Sequence, residues 1–211
     1  VDDRLTSVSG TPYIYLPNAS RDFHYASIQD QWAINRELSV TLGIRYDSYS
    51  DFGESTSPRI GVVWTATDDM TFKFLSGKAI NSPSFAQLYS QNNPVGLGDP
   101  KLTPEKLTAN EITINHSVTE NFHWSLAIYK YDAKNLIEYT PNAERQGNVA
   151  TNVGAIEGEG AELSLNWKPI QALSLSTNLS RHNTNVKSGA ELFGAPTLMA
   201  YVSANYQMAT N

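Results

Sequence analysis

The sequence predicts an all-β protein, an antiparallel up-and-down segment of a transmembrane β-barrel with about nine strands, an incomplete barrel on its own. Three observations predict it. The stretch LSVTLGIRYD, residues 38–47, puts Leu38, Val40, Leu42, Ile44 and Tyr46 on one side and Ser39, Thr41, Gly43, Arg45 and Asp47 on the other. Such period-two alternation belongs to a strand with two unlike faces. Its ten residues exceed the roughly five or six of an ordinary strand and match the roughly 9 to 11 that cross a bilayer. The connections also sort by length, short at one end of the sheet and long at the other, as in outer-membrane barrels. Finally, the four tryptophans gather on the apolar face beside the short turns.

Strands are expected at residues 22–34, 38–48, 58–64, 71–80, 108–118, 122–133, 154–167, 173–183 and 197–207, with no helical periodicity anywhere. The short connections are 35–37, 65–70, 119–121 and 168–172; the long ones are 49–57, 81–107, 134–153 and 184–196. Residues 1–21 read as a loop or the end of a preceding strand, and 22–211 as the partial barrel.

Tight turns set the register, so the faces are testable pair by pair. Across the 119–121 turn, Val118 should meet Phe122, His116 Trp124, Ile114 Leu126 and Ile112 Ile128, an almost wholly apolar face. The other face pairs Ser117 with His123, Asn115 with Ser125, Thr113 with Ala127 and Glu111 with Tyr129. Across 168–172, Trp167 should meet Leu173, Leu165 Leu175 and Leu163 Thr177, and continuing that ladder places Glu159 opposite Arg181. Asp30 breaks the pattern, lying among Ile28, Trp32 and Ile34 opposite Leu42, which calls for a bulge or a polar partner.

Trp32, Trp64, Trp124 and Trp167 all fall on the apolar face within three residues of a short turn. A sandwich core gives no reason for tryptophans to collect at one end. A bilayer interface does, because indole buries its ring while its N–H stays near headgroups and water. The apolar sides should therefore face lipid, and Arg45 and Asp47 a wet lumen near the extracellular rim.

Composition narrows the function classes. Lys+Arg 15 against Asp+Glu 21 gives a net charge of -6 with no basic run, which argues against a nucleic-acid partner. No stretch of 18 apolar residues is present, so no transmembrane helix is expected. With no cysteine, disulfides and thiolate metal sites are ruled out. The segment VDDRLTSVSG has neither part of a signal peptide.

Several segments, in order, resemble the TonB-dependent outer-membrane receptors. YASIQDQWAINRELSVTLGIRYD is similar to a strand pair of that family, with Gln-Asp-x-Trp before the turn and Gly-x-Arg-Tyr-Asp after it. SPRIGVVW, then FLSGKAINSPSFAQLY and GDPKLTPEKL, resemble its Ser-Pro-Arg strand and its Pro-Ser-Phe-x-x-Leu-Tyr and Asn-Pro-x-Leu-x-Pro-Glu loop. LAIYKYDAKNLIEY, NVGAIEGEGAELSLNWKP and GAPTLMAYVSANY are similar to the next three signatures. The likeness runs from about residue 22 to 207. Ile80-Asn81 and Gly98-Asp99-Pro100 depart from the family pattern in loops that can reach ligand. A TonB box, a plug domain and a terminal strand ending in an aromatic residue are not found, so the stretch reads as the middle to C-terminal part of a barrel of roughly 22 strands.

The resemblance implies a receptor for energised uptake of a scarce ligand, a ferric siderophore or similar iron source before haem, cobalamin or a glycan. The cell outer membrane of a Gram-negative bacterium is the implied location. Outer-membrane lipid, a small-molecule metal chelate and TonB, reached through a missing N-terminal segment, are the implied partners, with no cofactor. A passive porin-like pore or a surface adhesin is the alternative. An enzyme is not expected. His24, His116, His123 and His182 lack metal-ligand spacing, leaving structural or interfacial roles and no metal site. SGKA at 76–79 has Phe72 where a phosphate loop needs glycine and Ala79 where it needs a hydroxyl. No G-x-S-x-G is present, and Glu157 and Glu159 share a face that Glu162 does not. Ligand contacts are expected from the long loops, through Tyr89, Gln91, Asn92, Tyr139 and Arg145: aromatic and amide groups to stack and hydrogen-bond, and one guanidinium for an anion.

Overall fold

A computed structural model describes residues 2–3, 14–93, 95–142, 147–187 and 196–208. Two short strands, β1 (Asp2–Asp3) and β2 (Ala19–Ser20), pair with each other. The rest is one antiparallel sheet in which every strand neighbours the next in sequence: β3 (Phe23–Ala33), β4 (Leu38–Tyr49), β5 (Gly53–Thr67), β6 (Met70–Asn81), β7 (Glu105–Thr119), β8 (Phe122–Asn142), β9 (Gly147–Ile170), β10 (Leu173–Val186) and β11 (Leu198–Tyr206). It is an open, nine-stranded stretch of barrel wall.

Parity runs through the whole sheet. The row Trp32, Val40, Val62, Phe74, Ile112, Ile128, Ala161 is set by direct pairs from β3 to β9 and lies on the apolar face. The row beside it, Gln31, Thr41, Gly61, Leu75, Glu111, Tyr129, Gly160, lies on the other face and is mostly polar or glycine. The short turns step along the sheet. Met70 pairs with His116 while β7 runs on to Thr119, and Phe122 pairs with Trp167 while β9 runs on to Ile170. Each lower turn thus falls three residues beyond the previous one (116 to 119, 167 to 170). That stagger is the shear of a barrel whose strands are tilted.

All four tryptophans sit on the apolar face at the turn end, where Trp64 stacks on Phe72 (centroids 5.3 Å apart) and Trp124 meets His116 edge-on (5.5 Å). Trp32, Trp64 and Trp167 are exposed, as a lipid-facing girdle requires. The turns carry their own locks. Asn35 Oδ1 accepts from the amides of Glu37 (2.9 Å) and Leu38 (2.6 Å). In the β5–β6 turn the Thr67 hydroxyl, and after it His116, hold the Asp69 carboxyl below the usual carboxylate range.

Several expectations are corrected. Residues 49–57 are not a long loop: β4 and β5 pair up to Tyr49 and Gly53, and a turn at 50–52 closes on Gly53, whose φ of 92° suits a residue without Cβ. Most of 134–153 is strand, with β8 and β9 paired through Asn142 and Gly147, and only 143–146 fall outside the described residues. A five-residue helix, α1 (Phe85–Tyr89), occupies part of the 81–107 connection. Val118 does not oppose Phe122, because an irregularity puts Thr119 there; the other seven pairs of that hairpin stand. The β9–β10 turn is tighter than expected, so Trp167 meets Leu175, Leu165 meets Thr177 and Leu163 meets Leu179. A two-residue shift keeps every face. It also separates Glu159, which opposes Asn183 and Lys130, from Arg181, which opposes Ala161. Asp30 lies in a regular ladder with no bulge, and its Oδ1 accepts from the Gln31 amide at 2.8 Å.

The faces make a direct prediction. Leu163 pairs with Leu126 and Leu179 in the middle of the apolar band, and Ser164 points the other way. Leu163→Arg should cost about 2 to 4 kcal/mol at midplane depth, measured by urea titration of folding into lipid vesicles, whereas Ser164→Arg should change the midpoint little.

Candidate functional site

The polar face ends, at its upper rim, in an aromatic and cationic array. On β3 and β4 the inward positions include Phe23, Tyr25, Arg45, Asp47 and Tyr49, with Tyr25 paired to Asp47 and Phe23 to Tyr49. Arg45 Nε sits 2.9 Å from both Asp47 carboxylate oxygens, and the guanidinium lies 4.2 Å over the Tyr25 ring. Asp47 is only 3% exposed, so Arg45 compensates a charge that would otherwise be costly to bury. The rings continue without a break: Phe23 stacks on Tyr25 (6.2 Å) and Tyr49 (5.8 Å), and Tyr49 stacks on Phe52 (4.3 Å).

Arg21 joins this rim to the loop above β6. Its guanidinium lies 4.7 Å over Phe52 and 5.0 Å over Phe85, its Nε is 2.7 Å from Asp51 Oδ2, and its Nη2 donates to the Pro83 carbonyl at 2.7 Å. The turn of α1 is made by a capping box. Ser84 accepts from the Gln87 amide (3.2 Å), and the Gln87 side chain accepts from the Ser84 amide (2.8 Å). This seats Phe85 and Leu88 inward, and Leu88, Leu102 and Ala150 form a small buried core with Tyr89 and Ile137 packed on it.

The loop is therefore a docked platform. Leu97 bridges β9, its amide donating to Asn148 (2.8 Å) and its carbonyl accepting from Ala150 (2.9 Å). Where β8 bulges near Leu136, the Ile137 amide is taken up by Glu105 Oε1 (2.8 Å), and Asn152 Nδ2 donates to the carbonyls of Thr103 and Asn135. Glycines permit the close approaches. A Cβ on Gly98 would lie 2.6 Å from the Leu88 backbone, and one on Gly96 would lie 2.5 Å from the Tyr139 ring.

The expected ligand residues distribute around this platform. Tyr89 is half-buried against the small core. Gln91 is anchored through its amide to the Tyr15 carbonyl (2.8 Å), and Asn92, at φ 56°, donates its side-chain amide to Ile14 (3.2 Å). Tyr139 lies on β8 rather than on a loop, exposed and covering Gly96. Arg145 is outside the described residues. Phe23, Tyr25, Phe52 and Arg21 went unnoticed as site residues in the sequence. The usable signal was aromatic residues at odd positions of β3 and β4, on the face where Ser, Thr and Gly otherwise prevail. Among the described residues no group of three or more His, Asp or Glu is placed to hold a metal ion.

Deeper in the wall, Tyr129 and Tyr131 lie across Gly160 and Gly158 and reach two strands over. The Tyr129 hydroxyl is 3.2 Å from His182 Nδ1 and the Tyr131 hydroxyl 3.3 Å from Thr184 Oγ1. Arg59 crosses Gly43 in the same way to hydrogen-bond Gln29. These bridges stiffen the wall and leave a polar lumenal surface.

Comparisons with known proteins agree in kind. A family model described as TonB dependent receptor-like, beta-barrel, matches residues 2–210. The iron-regulated outer membrane virulence protein of Vibrio cholerae is 25% identical over 187 residues, covering 81% of this chain and 28% of that protein. The crystal structure of the siderophore receptor PirA from Pseudomonas aeruginosa superposes with a TM-score of 0.69 at 25% identity, over 80% of this chain and 33% of that one. PirA from Acinetobacter baumannii gives 0.76 at 20% identity, over 90% and 32%. The chain spans about a third or less of the length of these proteins.

The glycine seats separate two kinds of crowding. The three atoms nearest a Cβ on Gly158 all belong to the Tyr131 side chain, whereas a Cβ on Gly160 also lies 2.7 Å from the Arg181 carbonyl. Gly158→Ala and Gly160→Ala should each lose about 1 to 3 kcal/mol. In urea unfolding, Tyr131→Ala should recover most of the first loss, and Tyr129→Ala should leave most of the second.

Proposed function

Because the chain belongs to the TonB-dependent receptor-like β-barrel family, we propose that it forms wall and mouth of a receptor for TonB-energised uptake of a ferric siderophore or similar iron chelate. The proposed location is the outer membrane of a Gram-negative bacterium, with lipid around the apolar face and TonB as the energy-coupling partner. The family is one of receptors and transporters rather than enzymes.

The observation that carries the ligand class is the rim. Tyr25 and Phe23 stand on the lumenal face of β3, stacked on each other, beside Arg45 and Arg21. Paired with guanidinium groups, they suit a planar ligand carrying negative charge, through stacking and charge-assisted hydrogen bonds. Tyr89, Gln91 and Asn92 on the docked loop and Tyr139 on β8 are further proposed contacts, as is Arg145 on charge alone.

The test is transport by iron-starved cells that lack other receptors and express the intact protein. Uptake of a ferric catecholate or carboxylate chelate should require TonB. Tyr25→Ala should weaken binding about tenfold, on the order of 1 to 1.5 kcal/mol for the lost ring contacts, at an unchanged amount of protein in the membrane. Uptake that persists without TonB would make the barrel a passive pore and overturn the proposal.

A further inference from the structure

The two guanidinium groups beside the rim rings differ in what they can reach. The Arg45 side chain is 43% exposed next to Tyr25, whereas that of Arg21 is only 14% exposed. Arg21 meets two distant stretches of chain at once. Its Nε lies 3.0 and 2.7 Å from the two Asp51 carboxylate oxygens, and its Cζ lies over the Phe52 ring, both in the β4–β5 turn. Its Nη2 donates to the Pro83 carbonyl at 2.7 Å, and its Cζ also lies over the Phe85 ring, both in the β6–β7 connection.

The backbone beneath Arg21 is itself fixed to the rim. The Asp22 amide donates to the Ser50 hydroxyl at 3.1 Å, and the Ser50 amide donates to the Asp22 carbonyl at 3.0 Å. The far part of the connection is held separately, by the bonds of Leu97 to β9 and by the buried contact of Leu88 and Leu102 with Ala150. Its near part, Pro83 and Phe85, is buried at the Arg21 junction. Without the guanidinium, Asp51, whose side chain is buried, would keep a charge with no counterion there. The Pro83 carbonyl would lose its donor and both rings their cation.

We propose that Arg21 is a positioning residue: it seats the Pro83–Phe85 end of the β6–β7 connection on the rim before any ligand arrives, and it acts on a bound chelate through that loop rather than by touching it. The effect on binding rests on the chelate-receptor reading, whereas the seating does not. A site whose walls are already in place loses less freedom when it binds. Differences of this kind fall mainly on the release rate. Lysine cannot replace Arg21, because one ammonium cannot bond Asp51 and Pro83 from two edges while lying flat against two rings.

The test places spin labels at Ala86 on α1 and Thr56 on β5, both exposed, in the intact protein in bilayers, and measures their separation by double electron–electron resonance. Without any chelate the native protein should give one narrow distance distribution. Arg21→Gln and Arg21→Lys should both broaden it, as should Asp51→Asn, which leaves Arg21 in place. Arg36→Gln, in the β3–β4 turn, should not, and strand content by circular dichroism should be the same in all. In a second arm, Arg21→Gln should release a ferric catecholate about tenfold faster, with the same fraction of protein able to bind. A native protein that binds no ferric chelate would end the receptor reading, and the distances would still decide the seating. A distribution unchanged in Arg21→Gln and Asp51→Asn, full rescue by lysine, or a native distribution that narrows only when chelate is added would overturn the proposal. So would a loss of binding-competent protein at an unchanged release rate.

Discussion

Backbone amides and carbonyls surrounded by acyl chains have no water to bond, so each must find its partner in a neighbouring strand. The rest of the structure depends on that constraint. It requires a continuous antiparallel ladder, and the ladder from β3 to β11 is broken only by bulges at Thr67, Thr119, Leu136 and Leu173, all at or beyond the ends of the apolar band. Once the ladder is fixed, parity assigns every side chain to lipid or lumen, and stagger tilts the strands. Trp32, Trp64, Trp124 and Trp167 then mark the level at which hydrocarbon ends.

Where lipid enforces two unlike faces, the sequence is easy to read. The pairs of β7 with β8 from Glu111 and Tyr129 to Ser117 and His123 follow from alternation and one turn. Above the membrane both faces are wet, and alternation loses its meaning. Residues 134–153 therefore looked like loop, although at about 3.3 Å per residue the 24 residues of β9 extend far beyond the roughly 10 needed to cross. Bulges near Lys134 and Leu136 add a further disturbance of parity. The β9–β10 register differs by two residues from the one alternation suggests, because the paired strand continues to Ile170 and Leu173 and takes up the slack before Leu175. Helix α1 is too short to show a period, yet its capping box, Ser84 and Gln87, was present to be read.

The mouth was less legible than the wall. Loop residues such as Gln91 and Asn92 were reasonable candidates by chemistry, but their fixed positions come from backbone and side-chain bonds to Tyr15 and Ile14 that no local pattern announces. The exposed rings of Phe23 and Tyr25 gain their meaning from Arg45, Arg21 and Phe52, which a hairpin and a turn bring together. A barrel wall is rigid because its bonds are obligatory. The mouth is ordered by a few backbone and side-chain bonds between its loop and the strands.

The central claim is that alternate residues of each strand meet different solvents, and β4 tests it most directly. The chain contains no cysteine, so single cysteines at 38 through 45 can be spin-labelled one at a time in the intact protein in bilayers. Collision with oxygen, which prefers hydrocarbon, is compared with collision with a water-soluble nickel chelate. Labels at Leu38, Val40, Leu42 and Ile44 should favour oxygen, and those at Ser39, Thr41, Gly43 and Arg45 the chelate, in strict alternation. Accessibility that varies smoothly along the strand, or alternates with the opposite sign, would contradict the account.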